Sequence, residues 1–234
     1  MALLGTLVNG LCIIIGTLLG LIFSNIPDRI KTAALQGIGL VVVLIGLQMA
    51  IQAENIILIL ISLLTGGVFG TAIHLEDKLN YLGQKIEQKF STNDKQSITE
   101  GFITASLIFV IGAMSIVGAL DGGLRGDHEV LFTKAFLDGF MAMVLTTTLG
   151  YGVGFSVIPV VIYQGSIALL AVQINQWLPQ ELLNGFIMEV TAIGGLLILA
   201  IGLNILRITS FKIGDFLPAI IIFIFLYFGY VFVV

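Results

Sequence analysis

Seven stretches of this chain contain no Asp, Glu, Lys or Arg, and each approaches or exceeds the length of a bilayer crossing. They cover residues 1–27, 32–53, 55–75, 101–120, 139–180, 190–206 and 216–234. A hydrocarbon core takes about 20 apolar residues per helix. With no water there to satisfy backbone N–H and C=O groups, such segments must be helical. The run at 139–180 is too long for one crossing and divides at GYGVGFSVIP (150–159), where Gly and Pro loosen the backbone. The sequence therefore predicts an all-α fold, a polytopic transmembrane helix bundle of about 8 spans (7–8). The spans fall at roughly 3–23, 33–51, 55–74, 101–120, 131–150, 156–177, 186–206 and 215–233. The alternative for 131–155 is a re-entrant segment instead of a full crossing. Composition agrees: 58% of residues are apolar and 10% are charged, against about 25% charged in soluble domains.

Direction follows from the basic residues, which cytoplasmic loops retain. With the N-terminus outside, Arg29, Lys31, Lys78, Lys85, Lys89, Lys95, Arg207 and Lys212 lie inside, and only Arg125 and Lys134 lie outside. Both termini are thus expected outside. The first span lacks a basic n-region and an A-x-A cleavage site, so it is expected to be retained. The longest inner loop contains LEDKLNYLGQKIEQKF (75–90), with Leu75, Leu79, Leu82, Ile86 and Phe90 at helical spacing. It reads as an amphipathic helix, either an extension of the third span or an element lying on the inner membrane face.

The membrane part contains a repeat. GLVVVLIGLQ (39–48) aligns without gaps on GLLILAIGLN (195–204), matching Gly39 with Gly195, Gly46 with Gly202 and Gln48 with Asn204. At almost the same offset VNGLCIIIG (8–16) lies over YQGSIALLA (163–171), matching Asn9-Gly10 with Gln164-Gly165. A displacement of five spans reverses direction, so spans 1–3 and 6–8 form a possible inverted repeat, the architecture that lets a central site open to either side in turn. Glycine-rich helices also resemble one another simply because small residues let helices approach. The chain is accordingly one membrane domain over 1–234. It is divided into a first three-helix repeat (1–74), a cytoplasmic amphipathic loop (75–99), central helices four and five (100–155) and a second three-helix repeat (156–234).

Ionisable groups at bilayer depth face the bundle or water. Asp138, about two turns into the fifth span, and Glu189, about one turn into the seventh, are the two candidates, either as cation- or proton-coupling carboxylates or, for Asp138, as a partner of Lys134. Among neutral groups, Asn9, Gln164, Gln48, Asn204, Thr147 and Thr148 are candidate solute- or ion-binding residues, and the repeat raises Asn9 and Gln164 above the rest. Thr148-Leu149-Gly150-Tyr151-Gly152 is similar to the T-V-G-Y-G filter of potassium channels, but the segment falls at the inner face, where a Gly hinge is the simpler reading. Asp121, Asp127, His128 and Glu129 gather in an outer loop without EF-hand spacing and read as solvated acids. Cys12 has no partner cysteine, no phosphate-binding or hydrolase motif occurs, and no basic stripe suits nucleic acid. Neither metal, cofactor nor enzymatic activity is expected.

GTLVNGLCIIIGTLLGLIF (5–23), QGIGLVVVLIGL (36–47), SLIFVIGAMSIVGAL (106–120), LDGF (137–140), TTLG (147–150), YQG (163–165), EVTAIGGLLILAIGLNIL (189–206) and IGDFLPAIII (213–222), in this order, resemble the bacterial domain-of-unknown-function 554 membrane proteins, the YqgA/YdfK-like family. The resemblance implies a multi-pass protein of the bacterial cytoplasmic (inner) membrane and supplies no site residues. Where this chain reads LGYG the family more often looks like LGIG, which weakens the filter analogy.

The leading functional expectation is a membrane transporter or facilitator of an ion or small polar solute, working by alternating access. The alternatives are an ion channel with a Gly/Thr-rich path at 146–154 and a non-transporting membrane scaffold or sensor. The expected partners are the lipid bilayer, a small ion or polar solute, and a second copy in a homodimer or higher homo-oligomer, since G-x-x-x-G pairs at Gly16/Gly20 and Gly150/Gly154 suit helix contacts.

Overall fold

The structure is a computed structural model that describes residues 2–23, 28–81 and 98–233, with no strand among them. Its helices are α1 (Leu4–Ile22), α2 (Asp28–Ala50), α3 (Ile56–Ala72), α4 (Leu75–Tyr81), α5 (Ile98–Val110), α6 (Ala113–Leu124), α7 (Glu129–Leu149), α8 (Val157–Trp177), α9 (Gln180–Ile205), α10 (Ile213–Phe216) and α11 (Pro218–Val233). A 3-10 turn, Gly150–Ser156, joins α7 to α8 where GYGVGFSVIP predicts the division. Gly150 starts it with φ 74°, a left-handed conformation that glycine adopts without Cβ strain.

Three helical stretches are long and apolar enough to cross a membrane: Leu4–Ile22, Glu129–Gln176 and Gln180–Ile205. Two bent pairs, α3 with α4 (56°) and α5 with α6 (58°), raise the number to five, and Gln36–Ala50 and Ile213–Gly229 are shorter apolar helices. The expected eight crossings are reached only if both limbs of Glu129–Gln176 and the shorter helices count as well. Of the amphipathic helix expected over 75–90, residues 75–81 form α4; the rest of that expectation, 82–90, lies outside the described residues.

The amphipathicity is reversed relative to a soluble protein. On α1 the buried positions are Gly5, Thr6, Asn9, Gly10, Ile13, Gly16, Thr17 and Gly20, while Leu7, Leu11 and Leu18 are more than half exposed. Small and polar residues face the bundle because lipid gives large apolar side chains no reason to leave the surface. Close helix contacts then fix directions. Gly5 lies against Leu131, Gly16 against Gly139 and Gly20 against Met143, so α1 and α7 run parallel. Leu3 meets Gly165, Gly10 meets Val161 and Thr17 meets Gly154, so α8 runs back along α1. Gly66 meets Ala219 and Gly70 meets Asp215, making α3 and α11 antiparallel.

The α2–α9 crossing joins the two repeated motifs themselves. A Cβ on Gly46 would lie 2.8 Å from the Gly195 carbonyl oxygen, and one on Gly195 would lie 2.8 Å from that of Gly46. Farther along, a Cβ on Gly202 would lie 3.1 Å from the Gly39 carbonyl oxygen. The helices are therefore antiparallel, with Gly39 facing Gly202 and Gly46 facing Gly195.

Two expectations need correction. The fourth span is not one helix over 101–120: α5 and α6 are separate, broken at Ile111 and Gly112, and Gly112 takes φ 145°. The Ile111 side chain fills the notch left by Gly194 on α9, which anchors the break. The seventh span starts at Gln180, behind Pro179 at the N-cap position, instead of near residue 186, so Glu189 lies about two and a half turns inside the helix and not one.

Candidate functional site

Four helices deliver polar side chains to one buried chain of hydrogen bonds. From α7, the Lys134 ammonium contacts both oxygens of Asp138, at 2.9 Å to Oδ1 and 2.8 Å to Oδ2. The two residues are one turn apart on a single helix face, so local geometry alone brings them together. From α1, Asn9 Nδ2 donates to Asp138 Oδ2 at 3.0 Å and to Gln164 Oε1 on α8 at 3.3 Å. Gln164 Nε2 donates to Ser115 Oγ on α6 at 3.4 Å, and Ser115 Oγ donates to the Phe109 carbonyl at 3.0 Å across the α5–α6 break. Asn9, Gln164 and Ser115 are wholly enclosed, and Lys134 and Asp138 nearly so.

Such a network is costly in a low-dielectric interior unless its charges are paired. Here they are, and the ion pair is neutral as a whole. Some polar capacity is left over: Asn9 Oδ1 and, one turn earlier on α1, Thr6 Oγ1 are buried and have no hydrogen-bond partner. The broken helix adds backbone groups released from the regular ladder, since helix ends leave N–H and C=O groups without intrahelical partners. Polar side chains beside a discontinuous helix form the arrangement in which transporters bind solutes.

The remaining sequence candidates lie elsewhere. Glu189 accepts hydrogen bonds from Glu54 N (3.2 Å) and Asn55 N (2.5 Å), and thereby holds the start of α3. Asn204 closes the turn after α9, accepting from Phe211 N at 2.9 Å and Thr209 Oγ1 at 2.8 Å and donating to the Phe211 carbonyl at 2.7 Å. Gln48 is exposed on α2. Thr147 and Thr148 donate to carbonyls one turn back on their own helix, Val144 (2.7 Å) and Leu145 (2.9 Å). Of the eight candidates, then, Asn9, Asp138 and Gln164 are brought together. Asp121, in the last turn of α6, faces Arg125 at 3.7 Å, and Asp127 Oδ1, in the connection to α7, accepts from Glu129 N, contacts that leave both acids with local roles.

Ser115 is not among the sequence candidates; its signal is one of two hydroxyls, with Ser106, within SLIFVIGAMSIVGAL (106–120). A second polar region also escaped the sequence. A cavity of about 230 Å³ opens between α4, α5 and the end of α9, lined by Glu76, Asn80, Thr99, Glu100 and Thr104, with Asn204 at its edge. Its floor is braced by a reciprocal clasp in which Asp215 accepts from Glu76 N (2.9 Å) and Glu76 accepts from Gly214 N (2.6 Å). Each carboxylate caps the start of the other's helix, where the exposed N–H groups and the helix dipole favour negative charge.

Comparison with known proteins agrees on membrane character. A family model described as a protein of unknown function (DUF554) matches residues 4–228. The chain is similar to the uncharacterized membrane protein YdfK of Bacillus subtilis (strain 168), 36% identical over an alignment of 223 residues, with 93% of each chain covered. It is also similar to the uncharacterized protein YqgA of Escherichia coli (strain K12), 29% identical over 224 residues and 94% of each chain. No solved structure matches.

Proposed function

This chain belongs to the DUF554 family of membrane proteins of unknown function, and from that premise we propose that it is a transporter or facilitator of an ion or small polar solute, working by alternating access and without chemistry on its cargo. The buried Lys134–Asp138–Asn9–Gln164–Ser115 chain beside the α5–α6 break carries this reading. It joins one ion pair and three neutral polar groups from four helices, which exceeds what cross-bridging of two helices requires.

The repeat supports it independently. If 39–48 corresponds to 195–204, then Gly46 touches the equivalent of Gly39, and Gly39 touches the equivalent of Gly46. Reciprocal contact of this kind is what a two-fold axis through the crossing produces. Asn9 likewise donates to its own equivalent, Gln164. An axis in the membrane plane through both contacts relates halves that can exchange shapes around a fixed polar centre. Its implied topology has eight alternating crossings in the inner membrane, with both termini outside and the Glu76–Glu100 cavity as the cytoplasmic vestibule.

The test is solute flux into proteoliposomes containing the purified chain, screened across monovalent and divalent cations and small amino compounds. Saturable uptake should be present in the wild type and abolished by Asp138→Asn, with the variant still eluting as a folded species. Unchanged flux in the variant, or silence across the panel from folded wild type, refutes the reading.

A further inference from the structure

Every described partner of the Asp138 carboxylate is a donor: the Lys134 ammonium on both oxygens and the Asn9 amide on one. We propose that Lys134 is a tethered surrogate for the cargo, and that the site takes a compact monovalent cation, an alkali-metal or ammonium ion, which displaces the Lys134 ammonium from Asp138. The inference rests on the transport reading above and deepens it by naming the class of solute.

The charge count sets the valence. One carboxylate is the whole anionic content of the cluster; Asn9, Gln164, Ser115 and Thr6 are neutral. With the Lys134 ammonium kept within the groove, a monovalent cation on Asp138 leaves one net positive charge in the low-dielectric interior and a divalent one leaves two, so the lower charge costs less. Size follows from the ammonium itself, which sits 2.8–2.9 Å from both oxygens.

The displaced ammonium has somewhere to go. α1 and α7 run parallel, and Thr6 precedes Asn9 by one turn just as Lys134 precedes Asp138 by one turn. Thr6 Oγ1 and Asn9 Oδ1 are the buried acceptors without partners on this stretch of α1. A lysine stem, with its flexible four carbons, reaches acceptors a few ångström along the groove without leaving it. Cargo and lysine then alternate on one carboxylate, so the empty site never carries a bare buried charge during its return.

The experiment is calorimetric titration of NaCl, KCl and NH4Cl, at ionic strength held constant with choline chloride, into the purified full-length chain and four variants, with flux measured in parallel. Removing the competitor in Lys134→Met should tighten binding of the preferred cation by about tenfold or more. Lys134→Arg keeps the charge, but its guanidinium fork grips both carboxylate oxygens, so binding should weaken several-fold. Asp138→Asn and Lys134→Met/Asp138→Asn should bind none. If Lys134→Met does not fold, the opposite shift in Lys134→Arg and the loss in the double variant carry the test. Equal cation affinity in wild type and Lys134→Arg, or binding that survives Asp138→Asn, overturns the proposal. Wild-type flux of another solute with no cation binding in any variant overturns it while the transport reading stands; neither flux nor binding overturns both.

Discussion

Substituting alanine at Gly46 or Gly195 tests the α2–α9 crossing directly. The new methyl at Gly46 would run into Leu199 N and lie 2.7 Å from Leu199 Cα and 2.8 Å from Gly195 O, where ordinary contact begins at 3.4 Å. All three obstacles are backbone, so no rotamer relieves them and the helices must part by about 1 Å, a gap that forfeits up to about half of the dispersion energy of each contact it opens. Overpacking of this kind costs about 1–3 kcal/mol, and the backbone clash argues for about 2. The methyl at Gly195 meets Ala50 N at 2.6 Å and Gly46 O at 2.8 Å and should cost a similar amount. One separation accommodates both methyls, so the double variant should lose about 2.5 kcal/mol instead of about 4, a coupling of about 1.5 kcal/mol, within the range for residues in contact. Thermal unfolding of the detergent-solubilised chain, at about 2–4 °C per kcal/mol for a chain of this size, should show drops of about 4–8 °C for each single variant. Gly39→Ala is the control: its methyl meets the Leu206 side chain at 2.7 Å, which can turn away, so it should cost less than about 1 kcal/mol. Additive losses at 46 and 195, or a Gly39 variant as damaging as either, would refute the shared backbone contact.

Glu189→Ala removes the acceptor for two amide donors at the start of α3 and should cost about 2–3 kcal/mol, read as a lowered unfolding temperature, while cation specificity in the flux assay stays that of the wild type. Asn204→Ala strips the turn after α9 of three hydrogen bonds; opening of residues 206–212 should become easier by about 1–2 kcal/mol, and limited proteolysis there should accelerate about tenfold.

Much of this bundle is legible in the chain because lipid imposes a length and forbids charge. The charge-free runs place most helices to within a few residues, and GYGVGFSVIP marks the α7–α8 reversal. Asn9 and Gln164 are legible through the repeat, and Asp138 through the cost of a carboxylate at depth. The α5–α6 break is not, because Ile111-Gly112 lies in an unbroken apolar run and a single glycine there reads as a contact point; what stabilises the break is Ile111 seated on Gly194, 83 residues farther along the chain. The role of Glu189 is hidden for the same reason, since its partners are backbone amides at 54 and 55. The early start of α9 was signalled by Pro179, which suits a helix N-terminus, but a cut made on charge alone passes over it.

The Asn9–Gln164 bond joins side chains that differ by one methylene. Under the proposed alternating access, identical halves would make the inward-open and outward-open forms equal in energy, and the unloaded protein would divide equally between them. Asparagine on one side and glutamine on the other make the two forms inequivalent at the point about which they exchange. A difference of 1.4 kcal/mol is a tenfold bias in population, so under the proposed mechanism an inequality of one buried methylene, about 0.8 kcal/mol, would bias the resting orientation about fourfold.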